Sequence, residues 1–316
     1  MLIRFRLPLA VVLGLSLVTV GCGKYSFASL KAKKAFQDAN VLYQQQDYKR
    51  AAEKYEEVLL ADPDLVTAYF FLGNSYDNMY KPSRVGETEN DAYLQKAIEN
   101  YKISADKETD AKMRKLAMEY LVAAYGPDKM NDPAQAEPIV KQMIEMDPNE
   151  PTNYFALAKI YEDSGMYDEA EAALLRAREV RPNEPTVYTT LAGYYNRQGE
   201  FDKTIEALEA RAEKEPDNPE AFHTIATYYW DKAFRDFRLA DAEKKAYVIK
   251  GVEAADRALA LKDDYIDALT YKNLLLRLQA NLEKDPKVQQ DLIKEADRLR
   301  ELAIDLQKRK TAGVGN

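Results

Sequence analysis

Residues 148–219 read PNEPTNYFALAKIYEDSGMYDEAEAALLRAREVRPNEPTVYTTLAGYYNRQGEFDKTIEALEARAEKEPDNP. Pro148, Pro182 and Pro216 recur every 34 residues, and Pro151, Pro185 and Pro219 recur in step with them. A fixed period of this size marks a repeat architecture, in which each unit buries its apolar face only against its neighbours. Within one period Tyr154, Leu157, Ala158 and Tyr161 follow the i, i+3, i+4, i+7 spacing of an amphipathic helix. Gly165 then stands where a turn needs a residue free to take φ > 0. Tyr167, Ala170, Leu174 and Ala177 form a second stripe. Pro182 ends it, because proline cannot continue the backbone ladder. The next period repeats the arrangement with Tyr188, Leu191, Ala192, Tyr195, Gly199, Phe201, Thr204 and Leu208.

This helix–turn–helix wording resembles the tetratricopeptide repeat, and with the N-terminus described below it resembles bacterial lipoproteins built from such repeats. The resemblance implies an all-α fold, a right-handed α-solenoid of about six to seven antiparallel helix pairs. Ala158 and Ala170 fall where two helices of a pair cross closely. The register extends outward from the centre. Ala39, Gln46, Tyr48, Ala51, Tyr55 and Pro63 make a first repeat, with Gln46 in place of the usual glycine. Tyr69, Leu72, Gly73, Tyr76, Ala97 and Tyr101 make a second, and Met118, Leu121, Tyr125, Ala136 and Val140 a degenerate third. Phe222, Ile225, Ala226, Tyr229, Gly251, Ala255 and Ala258 make a sixth. A seventh pair, from Ile266 to Lys310, fits poorly and ends in an amphipathic helix with a charged outer face, as a solenoid cap requires. The repeats are expected over residues 29–310. Inserts lie near residues 79–92 and 230–242, a capping helix at 287–310 and a disordered tail at 311–316. The first insert, with Pro82 and Gly86, reads as a loop. In the second, Trp230, Phe234 and Phe237 share a helical face, which reads as a lengthened first helix packed on the second.

The N-terminus reads as an address. Arg4 and Arg6 precede the apolar run Leu7–Val20, and Gly21-Cys22 follows. A charged start, a short apolar run and a small residue make a secretory signal over residues 1–21. The run of 14 residues is shorter than the ~20 a membrane-spanning helix needs. Cys22 is the only cysteine, so no internal disulfide forms. Thr19-Val20-Gly21-Cys22 resembles a lipobox, with Thr19 where leucine is usual. The resemblance implies acylation of Cys22, a short tether over residues 22–28, and an envelope location. In a cell with two membranes it implies the periplasmic face of the outer one. Loss of the two arginines takes 45 Lys and Arg to 43, against 53 Asp and Glu. So acidic a chain is not built for nucleic acid, whose phosphates need basic footprints.

No residue constellation points to catalysis. His223 is the only histidine, which excludes His/Cys metal sites by counting. No glycine-rich phosphate loop is present. No catalytic residue, metal or cofactor is expected. What remains is surface. The resemblance implies that repeat positions 2, 5, 9, 12 and 13 line a concave groove that takes peptides or helices. In this chain those positions include Phe70, Asn74, Phe155, Lys159, Asn196, Arg197, His223, Thr227 and Trp230. The expected function is a membrane-anchored scaffold or adaptor of the cell envelope that binds protein or peptide partners. Alternatives are a chaperone-like holder or assembly factor for exported or outer-membrane proteins, and a glycan- or peptide-binding module.

Overall fold

The computed structural model describes residues 27–313, all helical apart from turns. They divide into two compact units, with the boundary between Met130 and Asn131. The first contains α1 (Phe27–Gln44), α2 (Tyr48–Ala61), α3 (Thr67–Met79), α4 (Thr88–Lys107) and α5 (Ala111–Ala124). The second contains α6 (Pro133–Met146), α7 (Pro151–Asp163), α8 (Tyr167–Val180), α9 (Pro185–Arg197), α10 (Phe201–Lys214), α11 (Pro219–Arg235), α12 (Asp241–Leu261), α13 (Ile266–Leu282) and α14 (Pro286–Thr311). Within each unit, consecutive helices pack as antiparallel hairpins: α1 on α2, α3 on α4, α7 on α8, α9 on α10, α11 on α12 and α13 on α14. The degenerate third repeat is where the units divide: α5 belongs to the first and α6 to the second.

The proline register has a mechanical content. Pro151, Pro185 and Pro219 each open a helix at its first position, where the missing N–H costs no hydrogen bond. Pro148 and Pro182 lie in the preceding turns, and their carbonyls accept from the hydroxyls of Tyr154 (2.9 Å) and Tyr188 (2.6 Å). The tyrosine at repeat position 4 thus pins its own helix to the turn that starts the repeat. Gly165 and Gly199 take φ of +73° and +77°. Gln46 occupies the same place with φ +61°, a left-handed conformation that costs a side-chain-bearing residue about 1–2 kcal/mol.

A second tyrosine, at position 11, links successive hairpins. Tyr195 on α9 is buried and donates to Glu171 on α8 at 2.8 Å, and Lys203 on α10 completes the tie to Glu171 at 3.0 Å. Tyr161 on α7 donates to Glu137 on α6 at 2.9 Å, and Lys141 pairs with that carboxylate. In the first unit Tyr76 donates to Glu56, and Lys96 donates to the Tyr76 hydroxyl at 3.0 Å. A buried phenol needs a partner for its O–H, and a carboxylate from the preceding second helix supplies it. Burial works against the Glu171 charge, but the hydrogen bonds from Lys203 and Tyr195 outweigh it and hold the carboxyl below its ordinary range.

The structure differs from the sequence expectation at several edges. The first insert is not all loop: α4 begins at Thr88, and a 3-10 turn forms at Pro82–Arg84. The second insert does not carry Phe237 on a helix: α11 ends at Arg235, and Phe237 is 89% exposed. Phe234 is 61% exposed, so neither phenylalanine is core. The capping helix runs from Pro286 to Thr311, into the expected tail. It buries Ala296, Leu299 and Ala303 against Leu269 and Leu276. The first helix starts at Phe27, inside the expected tether. The signal segment 1–21, Cys22 and residues 314–316 lie outside the described residues. No helix among those described is long and apolar enough to cross a membrane.

Gln46→Gly is expected to stabilise the first unit by about 1 kcal/mol, read as a higher urea midpoint with an unchanged slope. A lower midpoint would show that Gln46 contributes more than its backbone strain costs.

Candidate functional site

The nine residues expected to line a groove part company in the structure. Phe70 and Asn74 are buried in the first unit. Phe70 packs on Phe71, Tyr101 and Tyr120 with ring centroids 5.3–5.9 Å apart. The Asn74 carbonyl oxygen accepts from Tyr43 (2.6 Å) and from Asn78 (2.8 Å), and its amide nitrogen donates to Tyr101 (3.3 Å). Both residues are structural, and the expectation that they line a binding groove is corrected. The cause is local: Tyr101 from α4 and Tyr120 from α5 cover the face that a regular repeat leaves open.

The other seven residues lie in the second unit. Phe155 is half-buried on α7, and Lys159 is exposed and paired with Asp163 one turn on. Arg197 makes a two-pronged pair with Glu162, Nε to Oε1 at 2.7 Å and Nη2 to Oε2 at 2.9 Å, which fastens the end of α9 to α7. The hydrogen bond from Arg197 holds the Glu162 carboxyl below its ordinary range. Asn196 is exposed, and with Tyr228, Asp231 and Lys232 it lines a recess of about 110 Å³.

His223, Thr227 and Trp230 come together on α11. Their spacing places them on one helical stripe that continues to Phe234. The His223 ring meets Tyr265 and Tyr271 edge-on, at 5.3 and 5.2 Å between centroids. Thr227 donates to the His223 carbonyl at 3.0 Å. Trp230 meets Tyr271 edge-on at 5.6 Å and stacks on Phe234 at 5.0 Å with only 10° between planes. The result is an aromatic strip on α11, backed by α13, half-buried at His223, Thr227 and Trp230 and exposed at Phe234. Exposed Arg235 and Arg238 flank its outer end.

Tyr265 and Tyr271 were not singled out from the sequence, because the seventh pair breaks the register. The end of α11 carried a readable signal. Asp236 accepts from the Arg238 backbone N–H at 3.1 Å and from its guanidinium at 2.9 Å, a local turn of the kind Asp favours and helices avoid. Among the described residues no group of His, Cys, Asp and Glu is arranged to hold a metal ion.

Two segments match the tetratricopeptide-repeat family model, residues 36–77 in the first unit and residues 129–194, almost all in the second. With the helix hairpins described above, these matches define the chain as a tetratricopeptide-repeat protein. Among solved structures, the C-terminal part of a TPR repeat-containing protein from Cytophaga hutchinsonii is similar over 86% of this chain and 98% of its own. Its TM-score is 0.54 at 17% identity, a likeness of fold. A MamA structure covers 66% of this chain and 97% of its own, with TM-score 0.45 and 20% identity. YrrB, described as a TPR protein with an unusual peptide-binding site, covers 63% and 97%, with TM-score 0.42 and 18% identity. No curated protein matches the sequence.

Burial holds the His223 imidazole below its ordinary pKa, with Asp267 and Glu220 opposing the shift. The unfolded chain therefore binds the proton more readily than the folded one. Stability from this group is complete above about pH 6.5 and is lost as pH falls through the lower folded value. Between pH 7 and 5 the wild-type melting temperature is expected to fall further than that of His223→Gln. Equal falls would contradict the assignment.

Proposed function

We propose that this protein is a non-enzymatic scaffold that binds a protein or peptide partner through the aromatic strip of α11. The tetratricopeptide fold implies protein or peptide partners as a class. The single observation that supports this strip over other surfaces is the Trp230–Phe234 stack, half-buried at Trp230 and 61% exposed at Phe234. Large aromatic side chains left in water at the end of a packed helix cost hydration free energy, and a partner that covers them recovers it. Trp and Arg are the residue types that most often dominate interface energetics, and exposed Arg235 and Arg238 follow Trp230 in the chain. The Trp230 indole N–H makes no hydrogen bond among the described residues, and it offers a donor to a partner carbonyl. The partner's contact surface is accordingly apolar with backbone carbonyls accessible, as on an extended peptide or the end of a helix. Asn196 adds an amide beside the strip. Lys159 and Arg197 have their charges met within the chain, so they contribute shape more than charge.

The proposal extends to location on the strength of the N-terminal sequence alone. Acylation of Cys22 after signal cleavage places the repeats at an envelope membrane, where the partner is met, and the outer membrane is favoured in a cell with two. Cys22→Ser is expected to abolish incorporation of labelled palmitate in the producing cell; continued labelling would remove the anchor from the proposal.

A photo-reactive phenylalanine analogue at position 234 is expected to capture one discrete partner in native envelopes. Adding Trp230→Ala should cut the yield by about tenfold, the equivalent of ~1.4 kcal/mol. Equal capture from the same probe at position 159, or no effect of Trp230→Ala, would move the binding surface off α11.

A further inference from the structure

Two clefts on the second unit lie one repeat apart and invite residue-by-residue comparison. The first, between α8 and α10, has a volume of about 210 Å³ and is lined by Tyr188, Leu191, Tyr195, Lys203, Glu206 and Ala207 among others. The second, between α10 and α12, has a volume of about 400 Å³ and is lined by Phe222, Ile225, Tyr229, Lys250, Glu253 and Ala254 in the corresponding places. Tyr229 and Lys250 are the counterparts of Tyr195 and Lys203. Lysine lies over tyrosine in both, at 5.0 Å to the ring centroid in the first and 5.9 Å in the second.

The clefts differ at the residues that matter for charge. Where Glu171 accepts from Tyr195 and Lys203 in the first cleft, the second has Ile205. Tyr188 reaches the Pro182 carbonyl, but its counterpart Phe222 has no hydroxyl with which to reach Pro216. Arg257 replaces Ala210 and lies over the Phe222 ring at 4.2 Å. Glu209 replaces Leu175. Tyr229 is only 3% exposed and lines the cleft, and its hydroxyl makes no hydrogen bond among the described residues. Lys250, Arg257, Glu209, Glu213 and Glu253 make no ion pair there either. Burial, followed by the charge of Glu209, pushes the Tyr229 phenol up to about 12, so it is a donor at any physiological pH.

We propose that the α10–α12 cleft binds a small zwitterion with an apolar side chain, a free amino acid or a dipeptide. Its carboxylate accepts from the Tyr229 hydroxyl and Lys250, as Glu171 accepts from Tyr195 and Lys203 one repeat earlier. Its apolar side chain lies on Phe222 and Ile225. Its ammonium is met by the surplus carboxylates Glu209, Glu213 and Glu253, which outnumber Lys250 and Arg257. A cleft of 400 Å³ falls within the range of small-ligand sites. On α11 the cleft residues Phe222, Ile225 and Tyr229 lie roughly 135° around the helix from His223, Thr227 and Trp230, so the two surfaces can be tested separately.

Calorimetric titration of the full chain with L-leucine, leucyl-leucine, leucinamide and N-acetylleucine tests this. Leucine or leucyl-leucine is expected to bind, and the tighter of the two identifies a free amino acid or a dipeptide as the source. Leucinamide and N-acetylleucine, each lacking one charge, should bind at least about tenfold more weakly. Tyr229→Phe should weaken binding by a similar factor, and Ile205→Glu, which supplies the missing carboxylate from within, should abolish it. Trp230→Ala should leave it unchanged. Ile205 is buried; if Ile205→Glu does not fold, Tyr229→Phe, which keeps the ring, decides the matter. No binding by any probe at millimolar concentration would overturn the proposal. So would leucinamide binding as tightly as leucine, or unchanged affinity in Tyr229→Phe.

Discussion

The stacking of these hairpins depends on how a buried tyrosine hydroxyl is satisfied. In three repeats the first helix places a tyrosine at position 11, Tyr76, Tyr161 and Tyr195, that packs its ring for the apolar area and has its O–H provided for. Glu56, Glu137 and Glu171 do so from the preceding second helix. The bond is charge-assisted, and a lysine lies beside each carboxylate, Lys96, Lys141 and Lys203 in turn. Because donor and acceptor sit in successive hairpins, the bond ties one hairpin to the next rather than one helix to its partner. The position-4 tyrosines act more locally and fix each first helix to its turn. Apolar packing supplies most of the stabilisation in such a stack, while these directional bonds select one register among the many that Ala and Leu stripes would tolerate.

The legible part of the fold was the part with period. The prolines marked helix starts, and the glycines, with Gln46 in the same role, marked left-handed turns. These are backbone constraints, written in single residues whose meaning does not depend on distant neighbours. The candidate site was less legible because exposure depends on what covers a position. Phe70 and Asn74 stand at positions that face outward in a regular repeat. Here Tyr101 and Tyr120 pack over this face, and the second of these belongs to the degenerate third repeat. Phe234 and Phe237 failed in the opposite direction. Read as a continued stripe they pack inward, but Asp236 turns the chain and leaves both rings in water.

The two candidate surfaces of α11 follow from the same economy. On one side the helix ends early and its aromatic strip loses cover. On the other, the regular carboxylate is replaced by Ile205, and among the described residues a tyrosine hydroxyl is left without a hydrogen bond and several charges without an ion pair. The neighbouring repeat shows the carboxylate-bonded alternative to the second of these. Departures from an internally repeated solution are where a repeat protein spends stability for something other than structure.

The dependence on the tyrosine–carboxylate bond is tested most directly by a double-mutant cycle on Tyr195→Phe and Glu171→Gln, read by urea denaturation. The account predicts a coupling energy of about 1–2 kcal/mol, with Tyr229→Phe near neutral in the same assay because its hydroxyl makes no bond to the protein. Additive effects within ~0.3 kcal/mol, or a loss in Tyr229→Phe equal to that in Tyr195→Phe, would contradict it.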